Sequence, residues 1–347
     1  MTIFRQTLIA LSLAAVALPA LAADQITVTT GGGAYSTSIR KAYFEPYMEK
    51  TGAKITEDVW NNEMAKVKGM VDKKAVSWDV VTMESADAMR GCDEGILEKL
   101  DWKALGGKSQ FLPGAVQPCF VGSIVWSNVF AFNEKKFSGA KPSTINDFFD
   151  LKKFPGARGM RKNPKVNLEM ALMADGVAPK DVYKVLATKE GQDRAFRKLD
   201  SIKGNIKFWE AGAQAPQLLD SGEVVMTTAF NGRIADAVKN EKKPFKIVWD
   251  GQIYDFDGWS IPKGTPKKEA AMKFVAWVSQ ADVMANQSKY IAYGPTNKGA
   301  VSKISPEILK DLPTNPENMK KSMPASSEFW ADHFEELNTR FTSWLAQ

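Results

Sequence analysis

A nucleophile needs a base beside it, and this chain of 347 residues holds a single histidine, His333. It falls in Glu328 to Leu337, a stretch whose spacing predicts a C-terminal helix, so a Ser-His-Asp or Cys-His arrangement would rest on one late residue. A surface or packing role suits it better. Cys92 and Cys119 are the only thiols, and no Cys-x-x-Cys redox motif is present. In an oxidising compartment they are expected to form one structural disulfide, which adds roughly 3 kcal/mol in the chain-entropy model. The run Gly31-Gly32-Gly33 has the flexibility of a phosphate loop but lacks the lysine and hydroxyl that must follow. The tyrosines stand singly along the chain and no His/Cys cluster has ligand spacing, so bound iron or another metal is not expected. No catalytic residue and no cofactor is implied. The remaining polar residues point to capture rather than chemistry.

The N-terminus says where that capture takes place. One positive charge at Arg5, an apolar run from Leu8 to Leu18 and the small-residue site Ala20-Leu21-Ala22 make up a secretory signal, with cleavage expected near Ala22/Ala23. The run is too short to span a membrane and is followed by Asp24 and Gln25. No second run of spanning length occurs, so a water-soluble protein in the periplasm, without stable membrane insertion, is expected. The remaining chain is too long for one compact core and comfortable for two domains. Lys and Arg total 46 against 40 Asp and Glu. The basic residues sit in scattered pairs such as Lys73-Lys74 and Lys242-Lys243 without interleaved aromatics, which argues against a nucleic-acid partner.

Short β-rich runs alternate with amphipathic stretches, the pattern of an α/β protein with mostly parallel sheets flanked by helices. Strands are predicted at Ile26 to Thr30, Lys54 to Val59, Trp78 to Thr82, Ser123 to Asn133, Ile206 to Trp209, Val224 to Thr228 and Trp259 to Pro262. Helices are predicted over Ser38 to Lys50, around Met64 to Val71, near Leu168 to Ala174, and over Val182 to Thr188, Asp193 to Lys198, Lys267 to Ser279 and Ala281 to Tyr290. Lys141-Pro142-Ser143 opens a second unit. Glu84 follows the third strand, at the kind of strand terminus where ligands gather in open α/β sheets; it could equally be a helix N-cap.

The order of several segments is specific in combination: Glu45 to Thr56 with Lys50-Thr51-Gly52, Trp78 to Thr82, Asp93-Glu94-Gly95-Ile96-Leu97, Gly222 to Met226, Phe230-Asn231-Gly232, Asp257 to Pro262 and Gly294-Pro295-Thr296-Asn297. In this the chain resembles the periplasmic solute-binding proteins of ABC importers, of the spermidine/putrescine-binding kind, over essentially its whole mature length. The resemblance implies a type II periplasmic-binding-protein fold of two α/β lobes that close about a hinge. Residues 1–22 would be the signal, 23–133 with 259–310 one lobe, and 134–258 with 311–347 the other with the C-terminal helices. It also implies a monomer that delivers a small amine-containing ligand to a membrane ABC permease.

On that resemblance Tyr35, in the loop after the first strand, and Phe230 take aromatic positions of the binding site, with a turn role and core packing as their respective alternatives. Asp257 takes the position whose carboxylate holds the substrate amine; Asp255 and Trp259 flank it, and either could be the contact instead. A dry cleft for an amine wants aromatic faces and a paired carboxylate. Two departures from the polyamine pattern matter. Arg161 stands in the basic run Arg161-Lys162-Asn163-Pro164-Lys165-Val166 where polyamine receptors are acidic, and Arg233 replaces a small residue after Asn231-Gly232. An arginine fork pairs bidentately with carboxylate. With an acidic pole at Glu84 or Asp257 and a basic pole at Arg233 or Arg161, the expected ligand is a zwitterion, a short ω-amino acid of the γ-aminobutyrate type, with polyamine as the alternative. Arg233 could equally cap its own helix or pair with Asp236.

Overall fold

The computed structural model describes residues 24–61 and 63–347; the export signal expected over residues 1–22 and its expected cleavage site lie outside them. Eight strands carry the architecture: β1 (Gln25–Thr30), β2 (Lys54–Val59), β3 (Val80–Glu84), β4 (Phe120–Asn133), β5 (Arg158–Arg161), β6 (Ile206–Trp209), β7 (Met226–Phe230) and β8 (Phe245–Ser260). They form one continuous sheet in the order β2-β1-β3-β8-β4-β7-β5-β6. Each flank, β2-β1-β3 and β7-β5-β6, is parallel, as strands joined through helices must be. The centre is antiparallel, because β4 and β8 run against each other and against β3 and β7.

Those two long strands thread two hydrophobic cores. Val121, Ile124 and Trp126 of β4 and Trp259 of β8 belong to one core, with Ile26, Val28, Tyr43, Phe44 and Phe274. Phe130 and Phe132 of β4 and Val248 and Ile253 of β8 belong to another, with Leu168, Leu172, Leu186 and Leu199. The result is a mixed α/β architecture in which two long crossing strands connect the two cores.

Every residue of β4 is buried, and it reads as a strand in sequence from Ser123 on, three residues after its start at Phe120. β8 does not read that way. Its register against β4 shifts between Asn128 and Phe130, and the extra residues include Gly251 at φ 73°, a conformation that suits glycine. This irregularity hides the first part of the strand, and only its last residues, Trp259 and Ser260, were within the predicted segment. The helix predicted over Ser38 to Lys50 starts earlier, at Gly33, and runs as Gly33–Ile39, a π-turn over Arg40–Phe44, and Glu45–Thr51.

The final helix, Ser327–Ala346, buries Phe329, Trp330, Leu337, Phe341 and Trp344 against the second core. It also touches Ser85–Asp93, the helix that follows β3: Ser327 and Ser85 share a hydroxyl hydrogen bond of 2.6 Å, and Arg90 Nη1 donates to Glu335 Oε1 at 2.8 Å. His333 stacks on Phe329 with ring centroids 4.5 Å apart, a packing role.

Cys92, in the last turn of Ser85–Asp93, is bonded to Cys119, the residue before β4. The bridge closes a loop with a sequence separation of 27. Replacing both residues (Cys92→Ala with Cys119→Ala) is expected to lower unfolding stability by about 3 kcal/mol, read as a shifted midpoint in urea denaturation of the oxidised parent against the variant.

Candidate ligand-binding site

β1 delivers the chain into Gly31-Gly32-Gly33. Gly32 and Gly33 hold φ of 70° and 56°, and a Cβ on Gly33 would stand 2.7 Å from Arg233 Nη1. The glycines therefore permit both the turn and the approach of an arginine from the other lobe. The helix starting at Gly33 turns Tyr35 inward, β3 ends at Glu84, and β8 places Asp257 directly opposite Glu84 in the antiparallel ladder. β5 ends at Arg161, and β7 runs through Phe230 into the helix Asn231–Lys239, which carries Arg233.

These elements enclose a cavity of about 70 Å³. Six residues singled out in the sequence line it together: Tyr35, Glu84, Arg161, Phe230, Arg233 and Asp257. Trp60, Thr82, Ile124, Trp126, Glu210 and Tyr293 complete much of the wall and were not anticipated. Tyr293 packs edge-on to Tyr35 at 5.9 Å, and Trp126 edge-on to Phe230 at 5.1 Å. For Tyr293 a signal was at hand, since it directly precedes the Gly294-Pro295-Thr296-Asn297 segment; Trp126 sits in a strand buried throughout, where no alternation marks the face that meets a cavity.

Two residues expected at the site lie elsewhere. Trp259 is fully buried in the first core, edge-on to Tyr43 and Phe274, because β8 has entered that core by the time it reaches this position. Asp255 faces an adjoining small compartment with Lys165, Glu169 and Trp330. There it accepts from Ser85 Oγ at 2.5 Å. Burial pushes its carboxyl up to about 7, with nearby Glu84 adding to the rise and Ser85 and Lys165 opposing it.

The charges of the cavity divide into a satisfied set and an unsatisfied one. Glu84 makes no helix-capping hydrogen bond. Its Oε1 accepts from Arg161 Nη1 at 3.0 Å and its Oε2 from Lys165 Nζ at 3.4 Å. Burial alone would raise this carboxyl, but the two cations outweigh it and hold it down at about 2. Asp257 accepts from the Tyr35 hydroxyl at 2.6 Å, and among the described residues no cation lies within ion-pair distance of it. Its carboxyl is raised well above the usual range by burial and by the charges of Glu84 and Asp255; the Tyr35 hydrogen bond and the more distant Arg233 oppose the rise only in part.

Arg233 neither caps its helix nor pairs with Asp236. Nη1 donates to the Gly32 carbonyl at 2.6 Å and Nη2 to the Gly31 carbonyl at 2.9 Å, while the buried Nε has no partner. Carbonyl dipoles satisfy its hydrogens without neutralising its charge. The cavity thus presents one carboxylate and one guanidinium that lack ionic partners, with aromatic faces between them. Among the described residues, no group of three or more His, Cys, Asp or Glu could hold a metal ion, and no helix is long and apolar enough to cross a membrane.

Comparison with known proteins agrees with this architecture. Residues 42–317 match the family described as bacterial extracellular solute-binding protein. A gamma-aminobutyric acid-binding protein of Pseudomonas aeruginosa is 47% identical over 340 residues, covering 97% of this chain and 96% of that one. Among solved structures, the binding protein MotA from A. tumefaciens B6 in complex with glucopine superposes with a TM-score of 0.87 at 31% identity, covering 93% of this chain and 99% of that one. The Atu4243-GABA receptor superposes at 0.82 with 33% identity, covering 93% and 98%. A family match of this extent and a relative this close establish that the chain belongs to the bacterial extracellular solute-binding proteins.

Proposed function

We propose that this protein is the exported, monomeric receptor of an ABC importer. It captures a short zwitterionic ω-amino acid of the γ-aminobutyrate type between its lobes and hands it, unaltered, to a membrane permease. The observation that carries the proposal is the charge inventory of the cavity. Asp257 has a half-buried carboxyl group whose hydrogen-bond partner is the neutral Tyr35 hydroxyl, and Arg233 a buried guanidinium whose hydrogen bonds go to two carbonyls. A ligand ammonium at Asp257 and a ligand carboxylate at Arg233 would supply both with an ionic partner, the ammonium favouring the ionised form of the Asp257 carboxyl. Tyr35, Phe230, Trp126 and Tyr293 give the intervening methylenes an apolar wall. The name of the 47%-identical relative points the same way.

Polyamine binding, the alternative, has less support. It needs a second carboxylate, and Glu84 is already engaged by Arg161 and Lys165. A periplasmic location accords with the extracellular family and with the Cys92–Cys119 disulfide.

Titration calorimetry of the purified protein with 4-aminobutanoate, putrescine and spermidine tests the assignment. The amino acid is expected to bind, and tight binding of a polyamine with none of the amino acid would reject the proposal. Asp257→Asn should weaken 4-aminobutanoate at least a hundredfold, about 2.7 kcal/mol, since it removes the ammonium's partner while keeping the side chain's shape.

Binding should also move a proton. The Asp257 carboxyl is raised in the free protein and an adjacent ammonium favours its ionised form, so binding releases up to one proton across the interval between the two pKa values. Affinity then rises with pH through that interval and levels off above it. Calorimetry in two buffers of different ionisation enthalpy reads the released proton directly, and Asp257→Asn should abolish the release.

A further inference from the structure

Glu84 and Asp257 are direct neighbours across the β3–β8 ladder, so their side chains leave the same face with Cβ atoms about 5 Å apart. Both line the cavity. Two carboxylates so placed suit a short α,ω-diamine, one ammonium to each. The chain itself has filled one of the two positions. Arg161 Nη1 lies 3.0 Å from Glu84 Oε1, and the same guanidinium sits 5.3 Å from the centre of the Phe230 ring. A carboxylate and an aromatic face are what a bound ammonium requires, and Arg161 takes both. Lys165 is less committed, being shared between Glu84 at 3.4 Å and Asp87 at 3.3 Å.

The loop that presents these cations is fixed from within. Asn167 Nδ2 donates to the carbonyls of Arg161 and Asn163 at 2.6 and 2.9 Å, and the Lys165 amide donates to Asn163 Oδ1 at 2.9 Å. Val166, next in the chain, is held at φ 74°, a conformation that a β-branched residue adopts only under constraint.

We propose that Arg161 is a tethered cation that occupies the position where a second ammonium would meet Glu84 and Phe230, and that it thereby sets the selection of one-amine solutes over diamines. This rests on the assignment of Asp257 to the ligand ammonium made above. Arg161 is in these terms a specificity residue, and its removal should add a ligand rather than merely subtract one.

The test uses the full mature protein and 1,4-diaminobutane as probe, with 4-aminobutanoate in parallel. Arg161→Ala is expected to bind the diamine at least tenfold more tightly than wild type, and Arg161→Lys, which keeps the cation, to exclude it as wild type does. Arg161→Met, which keeps the apolar stem over Phe230, replaces the alanine variant should that one fail to fold, as judged by thermal melting. Adding Asp257→Asn should remove the gained affinity, which places the diamine in this cavity. The proposal falls if a folded Arg161→Ala or Arg161→Met binds the diamine no better than wild type, or if wild type already binds it tightly. Failure of wild type to bind 4-aminobutanoate, together with a diamine gain in the variant, would overturn the ligand assignment while leaving the tethered cation in place.

Discussion

The ladder between β4 and β8 is the element on which everything else depends. Among the described residues these two strands are the longest, and they supply side chains to both of the largest cores. A chain with two separate hydrophobic cores and few strands between them can move one core relative to the other at the cost of small backbone changes in the connection. The same ladder brings Asp257 against β3 and Glu84 while its other end packs in the second lobe. Hinge and recognition groups therefore share one strand, and the chemistry of capture cannot be separated from the mechanics of closing.

Charge balance then decides what the cleft accepts. Several cationic side chains and carboxyl groups meet in and beside a small space, and burial penalises each charged one that lacks a partner. Glu84 is matched within the protein by Arg161 and Lys165, both reaching it from the second lobe. Asp257 and Arg233 are left with neutral partners only, a phenol and two carbonyls. The dipolar preference follows from this unequal pairing, since the residue types present would by themselves permit several ligands.

Much of this was legible in sequence where local pattern and tertiary role coincide. The bounds of β2 and β6 were read correctly from their short β-rich runs, and Cys92 and Cys119 could pair only with each other. Six cavity residues were reached, five of them through family positions or departures from them and Glu84 through its place at a strand end. Other parts were set by geometry that no local pattern carries. The start of β8 was hidden by the irregularity around Gly251, and proximity to Asp257 in the chain made Trp259 look like a ligand contact although it points into the core. The engagement of Glu84 by Lys165 joins residues 81 positions apart, and only the folded arrangement reveals it.

The C-terminal helix adds one more constraint. It is packed into the second core and also bonds Ser85 and Arg90 of the helix that follows β3, adding to the bridges that Arg161, Lys165 and Arg233 make across the cavity. Of these contacts the Arg90–Glu335 pair is the outermost: Glu335 is 81% exposed, and solvent-facing ion pairs of this kind contribute only about 0–1 kcal/mol. Such a clasp adds little resistance to parting the two helices, whereas the ion pairs inside the cleft must be given up from a drier setting.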